Sequence, residues 1–386
     1  MSTVAIASTD YSNGYNVTAV MAALMNRRRW RQPTRADFPF TLAGTNIWPA
    51  NSVNPVFESI HKIVSPYNIW AVQEDKDIDV AGFNAYLTNL QADVVLKCLS
   101  SVFNKKEFLE KKLMFERFGR QDYINLNTGV FVGVRILPAK LFDVSVQIDN
   151  VALKFDADVI FNLYLFHDSQ PGVPVKTISV TAVANEQTVI NLGHVLSYAG
   201  SGNKSGVYYL GYFQDDLGAV HGINEIIENF NPMFNFGCVP IELNKVGSGI
   251  DVNQVSFTIK THGFNVQLSA FRDYTQLIVD NAYLFDNLIG LQMAADVIEM
   301  IQNNTRSNKD QRITGELTKM LYTDLNHAGP TEESPFSAGL KSKITNEVYR
   351  VKHEFFPRKK ATSITHDTQS KNIYGTPAPV LDAFQY

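Results

Sequence analysis

The chain has 386 residues, 45% of them hydrophobic and 19% charged, and a formal net charge of −4 at pH 7. That balance excludes a chain disordered throughout and a uniformly basic nucleic-acid coat, while leaving room for a local basic patch. The length suits two or three domains, and two cysteines, Cys98 and Cys238, define no disulfide framework, so a reducing compartment is expected.

Residues 1–55 read as an extended arm. Met1 to Asp10 has no basic stretch leading into an apolar one, so no secretory leader is expected there. Pro33, Pro39, Pro49 and Pro55 interrupt regular structure and leave space for one helix, over residues 18–25. The side chains of Trp30, Phe38, Phe40, Ile47 and Trp48 then need a surface to cover, in this chain or in a neighbouring subunit. Residues 56–120 read as helical, because Phe83, Tyr86, Leu87, Leu90, Val94 and Cys98 recur along one helix face. Asn104 followed by Glu107 has the spacing of a capping box and predicts a second helix through Phe108, Lys112, Phe115 and Phe118, ended by Gly119.

Over residues 121–273 the period changes to two. Val144, Val146 and Ile148 alternate with polar neighbours, and Val159, Phe161, Leu163 and Leu165 share a face of the next run. Further strands are predicted at 175–180, 188–192, 207–213, 252–260 and 264–270, separated by turn formers such as Gln170-Pro171-Gly172 and Gly247-Ser248-Gly249. Residues 215–250 read as an insertion or crossover loop. Helical spacing returns over 274–328, with one stripe through Leu284, Leu288, Leu291, Ala295 and Ile298 and another through Leu317, Leu321 and Leu325. The most apolar window, 277–301, carries Asp280, Asp286, Asp296 and Glu299, too many charges for a span of about 20 residues, so no membrane partner is expected. Residues 329–386 read as a C-terminal arm with a helical turn around 344–355. The predicted class is α+β: an antiparallel, jelly-roll-like β-sandwich inserted in a helical domain, where 274–328 packs with 56–120, flanked by extended arms.

No catalytic residues, metal or cofactor are expected. The run Gly200 to Gly206 lacks the glycine spacing and the following helix of a phosphate loop. Asp75-Lys76-Asp77-Ile78-Asp79 opens like a calcium loop, but Val80 and Tyr86 stand where Gly and Glu are required. His353-Glu354 has no second histidine at zinc-protease spacing. Asp156, Asp158 and Asp216 are the carboxylates that a glycoside-processing enzyme would have to bring together, and nothing in the sequence does so.

Two features carry function. Arg27, Arg28, Arg29, Trp30 and Arg31, with Arg35 nearby, combine forked cations and an indole in a proline-flanked segment, which suits anchoring on a partner protein better than on DNA. In 207–213 one row of alternating side chains is to be buried and the other shown, making Tyr208 and Tyr212 candidates for an aromatic binding surface, for glycan or host surface.

The stretch from Phe155 to Phe213 contains Phe-Asn-Leu-Tyr-Leu-Phe-His (161–167), Pro-Val-Lys-Thr (174–177) and Gly-Val-Tyr-Tyr-Leu-Gly-Tyr (206–212). In this it resembles virion proteins from tailed phages of Bacteroidetes, including the crAss-like group. The resemblance covers about a sixth of the chain. It implies a structural role, as a ring-forming head-to-tail connector, neck or tail protein of the virion, assembled in the host cytoplasm. The partners implied are sister copies and adjoining virion rings.

Overall fold

The computed structural model describes residues 11, 13–42, 47–48, 53–72, 78–115, 120–123, 128–138, 143–196, 206–226, 231–303, 311–327 and 338–356. In chain order the elements begin with α1 (Val17–Leu24), β1 (Trp30–Arg31), β2 (Ile47–Trp48), α2 (Pro66–Val72) and α3 (Val80–Val102). Strands follow: β3 (Phe108–Leu113), β4 (Arg120–Tyr123), β5 (Val130–Pro138), β6 (Val144–Lys154), β7 (Val159–His167), β8 (Lys176–Ala182), β9 (Gln187–Val195) and β10 (Tyr208–Phe213). The strand run ends with β11 (Ile223–Ile226), β12 (Phe236–Val246), β13 (Gly249–Ile250), β14 (Ser256–Phe257) and β15 (Phe264–Arg272), before α4 (Thr275–Asp280), α5 (Asp286–Asn303), α6 (Gln311–Asn326) and α7 (Leu340–Phe355).

The fold is α+β, an antiparallel sandwich set into a helical part. Two compact units divide the chain: Met1–Arg27 with Phe103–Tyr283, and Arg28–Val102 with Leu284–Tyr386.

In the first unit a large sheet runs β13-β12-β5-β10-β7-β8, with β14 also on β12, and a smaller sheet runs β3-β15-β6-β9. Alternation explains the core between them. Val144, Val146 and Ile148 of β6 meet Phe161, Leu163 and Leu165 of β7, and Tyr208, Leu210 and Tyr212 of β10 join Val266 and Leu268 of β15 in one buried cluster. Full burial of one such side chain is worth about 1.5–3 kcal/mol, so this cluster dominates the unit's stability. The opposite row of β10 is buried too: Tyr209 and Phe213 pack with Phe131, Phe166, Ile241, Leu243 and Ile250 on the outer face. Side chains of the segment after β12, Ile250, Val252 and Val255, close over that face. At the centre Gly133 and Gly211 face each other across β5 and β10, where a Cβ on either would overlap the opposite backbone.

Three predictions are corrected here. Residues 108–113 are strand β3, paired antiparallel with β15, not part of a helix; the pairing with β15 overrides the local capping signal, and Glu107 instead accepts a hydrogen bond from the Tyr274 hydroxyl at 2.8 Å. Residues 215–250 are no plain insertion, because they contain β12, an eleven-residue strand paired along β5. Pro240 sits within it, where proline is tolerated in a strand near a sheet edge. Conversely, the predicted strand 252–260 contains only the two residues of β14.

The described part of the N-terminal 27 residues is packed. Asn16 caps α1 by accepting from Ala19 N at 3.1 Å and donates its own N–H to Thr275 Oγ1 at 2.7 Å. Tyr15 is buried beside Phe103, and Tyr11 beside Phe271.

In the second unit α3 packs against α5, and Phe83, Leu87, Val94, Val95 and Leu99 on α3 and Leu288, Ile289, Met293, Val297 and Ile298 on α5 are buried. Lys97 on α3 meets the largely buried Asp296 on α5 at 2.7 Å. Helix α7 adds Leu340, Val351 and Phe355, the last against Phe285. Phe38 and Phe40 lie on Phe83, so these aromatic residues of the N-terminal segment cover their own chain. The features expected at 1–10, 73–77, 197–205 and 357–386 lie outside the described residues.

Candidate functional site

The arginine cluster divides into an inward and an outward part. Arg28, Arg29 and Trp30 are buried. The Arg28 guanidinium donates to Asp286 O, to Val56 O at 2.9 Å and to Ser59 Oγ at 3.3 Å, while its carbonyl accepts from Gln91 Nε2 on α3. Burial lowers its pKa, against the pull of Asp286. Gly290 on α5 makes room for it, since a Cβ there would stand 2.7 Å from Arg28 Nε and 2.6 Å from Ile60 Cγ1. Arg29 donates to Asn54 O and bridges Val56 in parallel fashion, and the Trp30 ring lies 4.5 Å from that of Phe57. These three side chains join residues 54–60 to α3 and α5 and cannot serve as an exposed anchor, which corrects that part of the expected partner site. Burying a guanidinium requires that its donors find acceptors, and here backbone carbonyls supply them.

Arg31 faces outward. With Gln32, Arg35, Glu58, Lys62, Ser65, Tyr67 and Asn68 it lines a cavity of about 520 Å³ within the second unit. Arg35 is held from two sides: its Nε and Nη2 donate to the two oxygens of Asp37 at 3.1 and 3.4 Å, and its guanidinium lies 3.9 Å from the centre of the Tyr67 ring. The Tyr67 hydroxyl also donates to Asp37, at 3.3 Å. Arg31 Nε stands 3.5 Å from Glu58 Oε2, and burial pushes the Glu58 carboxyl up against the pull of Arg31 and Arg29. Lys62, exposed, makes no ion pair with a described residue. Arg31 and Arg35 were visible in the sequence as a cluster. Lys62 and Tyr67 were not, because they arrive from thirty residues away and no local pattern marks them.

Tyr208 and Tyr212 are buried, 0% and 1% exposed. Tyr212 packs edge-on to Phe155 and Phe161, stacks with Phe264, and donates to His262 O at 2.9 Å; its hydroxyl is raised far above its usual range by burial. The expected exposed tyrosine row is therefore absent, because β10 is a central strand covered on both faces. The glycan reading loses its named residues.

The carboxylates considered for catalysis bind separate partners. Asp156 accepts from His221 N and pairs with His221 Nδ1, both at 2.8 Å; Asp158 accepts from Ala184 N; Asp216 accepts from Tyr164. Among the described residues no three His, Cys, Asp or Glu side chains converge to hold a metal ion, and none of the described helices is long and apolar enough to cross a membrane. Cys98 and Cys238 are buried, and burial pushes the Cys238 thiol up to about 12.

The other feature that points outward lies on the large sheet. Leu137 on β5, Val239 on β12 and Phe257 on β14 are 41%, 36% and 61% exposed and share the outer face, by the registers Leu137 opposite Gly237 and Phe257 opposite Ile241. Ile259, two residues beyond Phe257, is also exposed. Among the described residues, Phe236–Val239 of β12 have a strand neighbour on one side only, and at the far end of the sheet β8 pairs with β7 alone. Neither a protein family model nor a curated protein sequence matches this chain.

Proposed function

We propose that this protein is a structural component of a tailed-phage virion, a ring-forming connector, neck or tail protein that works through contacts between its own copies. The observation that carries the reading is the group of exposed apolar side chains Leu137, Val239 and Phe257, set around Arg135 beside an edge of β12 that no described strand covers, in a sheet whose other end, β8, is likewise uncovered by described residues. Exposed apolar groups grouped on one face mark interaction surfaces, and an unpaired strand edge is a template for another chain. Two different open ends on one sheet suit head-to-tail contact, and such contacts close into rings when the rotation between neighbours permits. The resemblance of residues 155–213 to phage virion proteins is what supports a virion as the assembly.

Electron microscopy of the purified protein tests it. The expected images are closed rings of one rotational symmetry in which the β12 side of each copy meets its neighbour. Isolated particles of single-copy size at micromolar concentration overturn the reading.

A further inference from the structure

We propose that the cavity bounded by Arg31, Arg35 and Lys62 binds the phosphate group of a phosphate monoester. The inference rests on this cavity alone and is independent of how copies associate.

Three cations line the space and one carboxylate, Glu58, accompanies them. Asp37 also neutralises part of Arg35, from the side on which it grips the guanidinium. Three cations against Glu58 and Asp37 leave one net positive charge for a ligand, with Lys62 contributing a compact ammonium that no described carboxylate occupies. A phosphate monoester carries about −1.5 to −2 at pH 7 and presents three acceptor oxygens, enough to engage two guanidinium groups and an ammonium at once, which the two oxygens of a lone carboxylate do not. Arg35 is already oriented by Asp37 and Tyr67, so little side-chain freedom is lost when its remaining N–H groups engage an oxyanion. Ser65 adds a hydroxyl at the wall, which accepts from Asn68 N at 3.2 Å and keeps its own proton to donate. A volume of about 520 Å³ falls within the range of small-molecule sites and exceeds what a bare phosphate needs, leaving space for the ester's organic part. A polynucleotide fits the observations less well. It carries its charge along a strip, whereas these cations surround one concave space in a chain of net charge −4.

Titration calorimetry on the full chain decides. The probes are inorganic phosphate and phosphoserine, with serine, glutamate and a short single-stranded DNA as comparisons. One phosphate or phosphoserine per chain is expected to bind, with serine and glutamate giving no saturable heat. Lys62→Ala removes a side chain with no described partner, so it leaves the fold intact by circular dichroism; it should weaken phosphoserine about tenfold or more, as loss of one charge-assisted contact does. Arg31→Gln should act in the same direction. The proposal is overturned by absence of saturable phosphoserine binding at millimolar concentration, or by unchanged affinity in both variants. Glutamate binding as well as phosphoserine, or DNA binding in preference to both, overturns it as well.

Discussion

Gly290→Ala gives a change of stability whose sign depends on the buried arginine. In the middle of a helix, alanine is better than glycine by about 1 kcal/mol, so on propensity alone the substitution stabilises α5. Here the new Cβ would lie 2.7 Å from Arg28 Nε, 2.8 Å from Arg28 Cζ and 2.6 Å from Ile60 Cγ1. Overpacking of this kind costs about 1–3 kcal/mol, and a guanidinium pushed aside loses one or two hydrogen bonds worth about 1.5–3 kcal/mol each. The net expectation is destabilisation by about 2 kcal/mol or more. All three tryptophans, Trp30, Trp48 and Trp70, belong to the second unit, so urea unfolding followed by indole fluorescence reports on that unit. The matching variant is Arg28→Ala, in which the space beside Gly290 opens. In that background the approach to Ile60 remains but the arginine's hydrogen bonds are no longer at stake, so Gly290→Ala should cost less, and the difference between the two contexts measures the coupling. A rise in the unfolding midpoint on Gly290→Ala alone, or strict additivity in the cycle, refutes the account of why Arg28 is buried where it is.

Tyr212→Ala should cost about 3–5 kcal/mol of sandwich stability, because it empties a fully enclosed ring site and frees the His262 carbonyl; hydrogen exchange of the β10 amides checks this, and an unchanged exchange rate contradicts it. His194 on β9 is depressed from 6.5 to about 4 by burial and by the charge of Lys176. The unfolded chain takes up the proton first as pH falls, so stability is fully present above about pH 6.5 and declines toward pH 4, by roughly 3 kcal/mol in all. His194→Gln should remove that slope in denaturation measured by far-ultraviolet circular dichroism at several pH values, and an unaltered slope contradicts the assignment. Glu242 is lowered by its contact with the buried His262, 3.1 Å away, against a smaller opposing effect of burial. Its contribution is present above the usual glutamate range and lost as pH falls below it, so Glu242→Gln should flatten the most acid part of the same curve.

Period-two patterning made most of the sandwich legible, since β6, β7, β9 and β15 each bury one alternating row against a partner sheet. The same reasoning failed at β10, where Tyr208, Tyr212, Tyr209 and Phe213 are all buried: alternation shows that two rows exist, and only the sheet order shows that both are covered. Residues 108–113 failed for a different cause. Phe108, Lys112 and Phe115 satisfy helical spacing, and the choice of strand is made by β15, distant in sequence. The arginine cluster was legible as a concentration of charge, but its division was not. Arg28 turns inward because Gly290, more than 250 residues away, leaves space for it, and Arg31 and Arg35 face a cavity completed by Lys62 and Tyr67.

The central claim is that the apolar face beside β12 joins copies of this chain. The most direct measurement is the solution mass of the wild-type protein and of the Val239→Glu, Phe257→Glu double variant, by light scattering after size exclusion. The account predicts a wild-type mass that is a whole multiple of 43.2 kDa and a variant that elutes folded at 43.2 kDa. A wild-type chain that stays at the single-copy mass at every concentration, or a variant that assembles as the wild type does, contradicts it.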